Sequence, residues 1–284
     1  MVSLNEIRNF KNRINPTEET EGRGSFGFYV ARPVSLYVTW ILLQTPIRAN
    51  QVTLLHMALG ILGSVLLAFP SLWVRLTGCA LLYSGFVVDN VDGEIARFRR
   101  EVSITGKYID TVAHTIVNAM MFFGFGFGAY WDANNLSTIV FGFLAAFFCL
   151  RIDTFAMYAE AAKAFKSNLD KNYDYYANIE GKVDRRRGSN LEYISKRAES
   201  RLKRLVFAVF AYPGSLHVMT ICLFVALLGS SLGYESSILL PAAAIAFYGT
   251  LLPIRRLFTI RQIIVRKETE IQMVELSKKK EFPE

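Results

Sequence analysis

Blocks of apolar residues, each about as long as a bilayer crossing, dominate the pattern along this chain of 284 residues. A helix that crosses the hydrocarbon layer needs about 20 mostly apolar residues. Six segments reach that length, at roughly 52–70, 72–97, 104–130, 136–161, 205–230 and 236–262. Each is apolar around most of its circumference, as a helix in lipid must be. The pattern predicts an all-α integral membrane protein with six transmembrane helices.

Ahead of the first span, the stretch 26–43 is apolar but interrupted by Arg32 and Pro33. Val34, Tyr37, Trp40 and Ile41 recur at helical spacing, which predicts a juxtamembrane amphipathic helix lying in the interface. The alternative, a seventh span, would upset the charge arrangement described below. Pro46 and Asn50 then end one helix and open the next. The chain thus divides into an N-terminal segment 1–50, a six-helix membrane domain 51–262 with a polar loop 163–204, and a C-terminal tail 263–284. The loop, with its run Arg185-Arg186-Arg187-Gly188, reads either as a solvated, headgroup-contacting segment or as a substrate lid. Residues 1–23 are polar and charged, which leaves no cleavable signal peptide in view.

Charge sets the expected orientation, because cytoplasmic loops keep Lys and Arg. Arg8, Lys11, Arg13, Arg23, Arg32 and Arg48 precede the first span, and Arg97, Arg99, Arg100 and Lys107 surround the turn after the second. The loop after the fourth span and the tail are basic as well. The three opposite connections, near Pro70, 131–135 and 230–235, hold no Lys or Arg, the nearest being Arg75 just inside the second span. Both termini, and any site beside the basic turns, are therefore expected on the cytoplasmic side. The net charge of +8 fits a surface meeting anionic lipid. No aromatic-interleaved basic motif points to nucleic acid. Cys79, Cys149 and Cys222 fall inside spans and read as small hydrophobes.

Ionisable residues inside a bilayer are costly and mark function or a water-filled cavity. The second span carries Asp89, Asp92 and Glu94, and the third carries Asp110 and His114. Asp89 and Asp92 are i and i+3, Asp110 and His114 are i and i+4, so each pair shares a helical face. The two pairs can face each other across the hairpin. Converging carboxylates repel one another and take up protons, whereas hard divalent ions such as Mg²⁺ or Mn²⁺ suit them. Gly93 and Ala96 allow close approach of a ligand or helix, and Arg97 offers a planar donor fork for phosphate.

The run Asp89-Asn90-Val91-Asp92-Gly93-Glu94-Ile95-Ala96-Arg97, followed at fixed distances by Gly106, Asp110 and His114, resembles the signature of the CDP-alcohol phosphotransferases, D-x2-D-G-x2-A-R-x8-G-x3-D-x3-D. Every fixed position matches except the last, where His114 replaces an aspartate. The opening of the first span, Asn50 to Thr53, also resembles that family's usual first helix. The six spans and the interfacial helix fit the same family architecture.

The resemblance implies that Asp89, Asp92 and Asp110 bind a pair of divalent metals gripping a CDP pyrophosphate. It implies that Gly93, Ala96, Arg97 and Gly106, with Asn50 and Thr53, form the nucleotide site. The fourth position serves the family as metal contact and general base, which places His114 beside Asp110 as a catalytic residue and as a metal ligand. Imidazole titrates nearer neutral pH than a carboxylate, which suits a base, but it is a poorer ligand for Mg²⁺. His114 is thus a substitute base, a sign of altered metal preference or occupancy, or a mark of lost phosphotransfer. The resemblance also implies a homodimer.

The acceptor is less legible. Lys107 and Arg151 are the candidate contacts, with an Arg151–Asp153 ion pair the alternative for the second. His217, Tyr212 and Ser215 flank Pro213-Gly214, either a packing kink or a break that opens the fifth span. His56 reads as an interhelical hydrogen-bonding residue with no assigned role. The expected reaction moves a phospho-alcohol or phosphatidyl group from a CDP-linked donor to an acceptor hydroxyl and releases CMP. The rivals are a transferase of CDP-polyols or other nucleotide-linked headgroups, and a catalytically silent lipid-binding member. A transporter would show repeated halves, and none is visible.

Overall fold

Punctuation in the sequence sets where the helices start and stop. The computed structural model describes Glu6 and residues 30–101, 103–150, 209–210 and 213–266. Its helices are α1 (Arg32–Leu43), α2 (Ala49–Leu67), α3 (Leu72–Phe98), α4 (Ile104–Ala133), α5 (Ser137–Cys149), α6 (Gly214–Ser231) and α7 (Leu240–Arg266), with a 3-10 turn over Glu235–Leu239. No strand occurs among the described residues. Pro33 stands in the first turn of α1, where a missing backbone N–H costs nothing. The α3–α4 turn closes with Glu101 N–H donating to Ala96 O at 2.9 Å and Arg100 N–H to Arg97 O at 3.2 Å. Arg100 takes the left-handed conformation there, with φ of 56°.

Five helical segments are long and apolar enough to cross a bilayer: Ala49–Leu67, Leu72–Phe98, Tyr108–Ala133, Gly214–Ser231 and Glu235–Phe258. They are the first, second, third, fifth and sixth expected spans, and the chain is an all-α membrane protein. For the fourth span the described helix is α5, 13 residues long, and residues 151–161 lie outside the described residues. So do Arg151 and Asp153, Tyr212, the loop 163–204 and the tail beyond 266. α6 begins at Gly214, directly after Pro213 in a turn, so the Pro-Gly pair marks a helix start.

Two compact units make up the chain, one of residues 1–150 with 216–250 and one of 151–215 with 251–284. In the first, α2 packs on α3 and α4, α4 on α5, and α1 on α3. Small residues bring the backbones together. A methyl added at Gly78 would lie 2.6 Å from Gly63 O, and one at Gly126 would lie 2.8 Å from Gly142 Cα. In the second unit, Arg255 Cζ stands 5.5 Å from the Phe210 ring centroid.

The α3–α4 hairpin is pinned at the end away from the acids. Arg75, 1% exposed, forms a fork with Asp132: Nη1 donates to Oδ2 and Nη2 to Oδ1, each at 2.6 Å. Nη2 also donates to Pro70 O at 3.0 Å. This charge is neutralised within the fold, so it adds nothing to the positive charge of that side.

α1 docks polar face inward. Ser35 and Thr39 are buried and donate to Glu94 of α3, at 2.9 Å and 2.6 Å. Val38, Leu42 and Leu43 pack against the cluster of Ala49, Val52, Val91 and Ile95. Val34, Tyr37, Trp40 and Ile41 are exposed, as an interfacial helix requires. Arg99 ties the α1–α2 link down by donating to Ile47 O at 2.6 Å and Thr45 O at 2.7 Å.

Candidate metal centre

Helical periodicity builds the site from three elements. α3 presents Asp89 and Asp92, one turn apart, near its C-terminal end; α4 presents Asp110 and His114 in its first turns; α2 adds Thr53 and His56, three residues apart. These side chains converge. Asp89, Asp92 and Asp110 each offer an oxygen within 4.8 Å of the others, and His56, Asp89 and His114 form a second such trio. Asp89 belongs to both.

His114 turns Nε2 into the acids, 3.1 Å from Asp89 Oδ1 and 3.2 Å from Asp110 Oδ1. Thr53 Oγ1 donates to Asp92 Oδ2 at 2.6 Å, and Asp92 is 9% exposed. His56 lies behind, 1% exposed, with Nδ1 2.8 Å from Gly85 O and Nε2 4.0 Å from Asp89 Oδ1. The two imidazole centroids are 5.4 Å apart.

Around this cluster, Asn50 and Gly106 come together, since a methyl added at Gly106 would meet Asn50 Oδ1 at 3.2 Å and Ser103 Oγ at 3.2 Å. Ser103 caps α4 by accepting from Gly106 N–H at 3.0 Å. Arg97 folds back over Gly93, where an added methyl would lie 3.2 Å from Nη1. Ala96 packs against the Val91–Ile95 cluster. The Lys107 side chain and Arg151 lie outside the described residues. Glu94 departs from the acid cluster: two residues past Asp92 it points to the opposite side of α3, and α1 holds it there. His217 accepts no role at this cluster; its Nδ1 pairs with Tyr83 Oη at 2.6 Å.

The donor set fits a divalent cation. Three carboxylates and the His114 imidazole converge on one point. Asp89 Oδ1 and His56 Nε2 are buried and make no aligned hydrogen bond. Electron-rich atoms left facing each other out of water are costly unless a cation joins them.

An α-helical membrane hairpin with an acid and imidazole cluster at one end defines the class of protein. Residues 47–183 match the family model described as CDP-alcohol phosphatidyltransferase. The chain is also similar to a Rubrobacter xylanophilus protein named bifunctional IPC transferase and DIPP synthase, at 42% identity over 88 residues. That match covers 31% of this chain and about a fifth of the relative's length, 20%.

Proposed function

We propose that this protein transfers a phospho-alcohol or phosphatidyl group from a CDP-linked donor to an acceptor hydroxyl and releases CMP. One observation carries the reading: Asp89, Asp92, Asp110 and His114 converge at one end of the hairpin, inside the segment that matches the family. The relative's name, a transferase and synthase, supports the same class of chemistry.

Asp89, Asp92 and Asp110 would hold Mg²⁺ or Mn²⁺, two ions in all, and the bound metal would withdraw charge from the pyrophosphate and stabilise departing CMP. The chain's own residues position the rest. Thr53 orients Asp92 through its hydroxyl. Asn50, Gly93, Ala96, Arg97 and Gly106 would surround the nucleotide, with Arg97 as the phosphate-binding fork. The proton of the acceptor hydroxyl would leave to the Asp110–His114 pair on α4. Lys107 and Arg151 are the acceptor contacts in this reading.

Basic residues at the α3–α4 turn, Arg97, Arg99 and Arg100, support a cytoplasmic site and cytoplasmic termini. A homodimer follows from family resemblance. The membrane domain is taken as 51–262, flanked by the interfacial segment and the tail.

Purified protein supplied with CDP-diacylglycerol or with soluble CDP-alcohols tests the reading through metal-dependent CMP release. We expect release with one donor class, abolished in Asp92→Asn. Binding of lipid or CDP without any CMP release, across both donor classes and Mg²⁺ and Mn²⁺, would instead identify a silent lipid-binding member.

A further inference from the structure

His56, a buried histidine on α2, faces the cluster, although the motif on α3 and α4 does not include it. The Gly85 carbonyl 2.8 Å from His56 Nδ1 can only accept, so Nδ1 carries the hydrogen. A backbone carbonyl on the far ring nitrogen is the arrangement that fixes tautomer and orientation in metal-bound histidines. It leaves Nε2 to face the cluster, buried and without a hydrogen-bond partner. Opposite stands Asp89 Oδ1, also buried and without an aligned donor, 4.0 Å away. That separation is too long for a hydrogen bond. It is no longer than two metal–ligand bonds of about 2.0–2.2 Å laid end to end, so a small inward shift of either side chain would let one ion reach both. His114 Nε2, 3.1 Å from the same oxygen, completes a trio whose donor atoms lie within 4.8 Å of one another.

We propose that His56, Asp89 and His114 form a separate subsite for a borderline transition-metal ion such as Zn²⁺ or Co²⁺, beside the all-carboxylate subsite of Asp89, Asp92 and Asp110. The inference rests on reading the cluster as a metal centre and adds a ligand, His56, and a difference between its two halves. Three oxygens suit a hard ion. Two imidazoles and one carboxylate suit a borderline ion. Asp89, common to both trios, would bridge them. The substitution of His114 for the motif aspartate and the position of His56 on α2 then belong to one device, which exchanges oxygen for nitrogen at one metal.

Direct metal binding tests this apart from turnover. Chelator-stripped, purified protein is titrated with Co²⁺ and its visible absorption followed, and Zn²⁺ and Mg²⁺ are titrated calorimetrically. His56→Asn is the informative variant, because its side-chain amide can keep the donor to Gly85 O while the ligand atom is lost. We expect the wild type to bind Zn²⁺ and Co²⁺ more tightly than Mg²⁺ at one site, with a Co²⁺ spectrum characteristic of nitrogen ligation. His56→Asn and His114→Ala should each weaken that site by about tenfold or more and alter the spectrum, with Mg²⁺ still bound at the carboxylates. A His56→Asn protein with thermal stability, Zn²⁺ affinity and Co²⁺ spectrum all unchanged would overturn the proposal, as would a wild type whose Co²⁺ spectrum shows oxygen ligands alone. Loss of fold in His56→Asn would be seen in its melting, and His114→Ala then decides by the same two readouts. Failure of CMP release with normal Zn²⁺ binding would count against the proposed function and leave this site standing.

Discussion

Thr53 Oγ1 donates to Asp92 Oδ2 across the α2–α3 contact at 2.6 Å, and both groups are buried. The hydroxyl holds one carboxylate oxygen in place and leaves the other for the cluster. Outer partners of this kind set ligand direction, and their removal lowers metal affinity by about 10–100-fold. Thr53→Val should therefore weaken Mg²⁺ or Mn²⁺ binding within that range and reduce CMP release in step, while Thr53→Ser retains most of both. Metal titration of the three proteins checks it, and a Thr53→Val protein with wild-type affinity would show that Asp92 needs no such support.

Glu94 concerns the fold. Its two oxygens accept from Ser35 and Thr39 of α1; Ser35 Oγ can still donate to Arg32 O at 3.0 Å, so Glu94→Ala removes both cross-helix bonds and strands the buried Thr39 hydroxyl. A stranded hydroxyl costs about 1–3 kcal/mol. We expect α1 to loosen from the hairpin, seen as faster amide exchange over 32–43, with divalent-metal affinity changed by less than about twofold because charge-assisted contacts to the cluster are not removed. Slow, wild-type exchange in α1 would mean that the apolar contacts of Val38, Leu42 and Leu43 suffice.

What could be read along the chain was whatever repeats within a helix. The i, i+3 spacing of Asp89 and Asp92 and the i, i+4 spacing of Asp110 and His114 placed each pair on a face, and the structure brings those faces together. Glu94 sat among the acids in sequence but lies about 200° around the helix from Asp92, and its partners stand 55 and 59 residues away. No local pattern announces such a pairing. Arg75 was legible only as the basic residue nearest the opposite connections, because its partner Asp132 follows 57 residues later. His56 was legible as an interhelical hydrogen-bonding residue, and its Nδ1 contact is of that kind. That its other nitrogen faces Asp89 depends on how α2 crosses α3, where Gly63 and Gly78 permit close approach. Crossing angles are set by tertiary packing and leave no mark at the histidine itself.

Arg75 and Asp132 form a two-bond fork and are both almost fully buried, at 1% and 3% side-chain exposure. Removing one partner of such a pair strands the other charge and costs about 3–5 kcal/mol. Asp132→Ala should melt well below the wild type in detergent. Arg75→Met with Asp132→Leu, which removes both charges and keeps volume, should recover most of that loss. Thermal unfolding of the single and double variants tests the coupling, and additive losses would show that the fork contributes no more than its separate side chains.

His114 decides how this site departs from an all-aspartate one. Its Nε2 is aimed at Asp89 and Asp110, the direction a ligand takes, and a carboxylate placed there would supply oxygen to the same point. Hard ions favour that exchange and borderline ions disfavour it. His114→Asp should therefore bind Mg²⁺ at least as tightly as the wild type and lose about tenfold or more in Zn²⁺ or Co²⁺ affinity. If the imidazole contributes only through metal binding, Mg²⁺-supported CMP release survives in the variant. If the imidazole instead takes the acceptor's proton, release falls by about 10²–10⁴-fold while CDP and Mg²⁺ still bind. Single-turnover CMP release beside metal titration separates the two, because only the first leaves chemistry intact once the metal is bound.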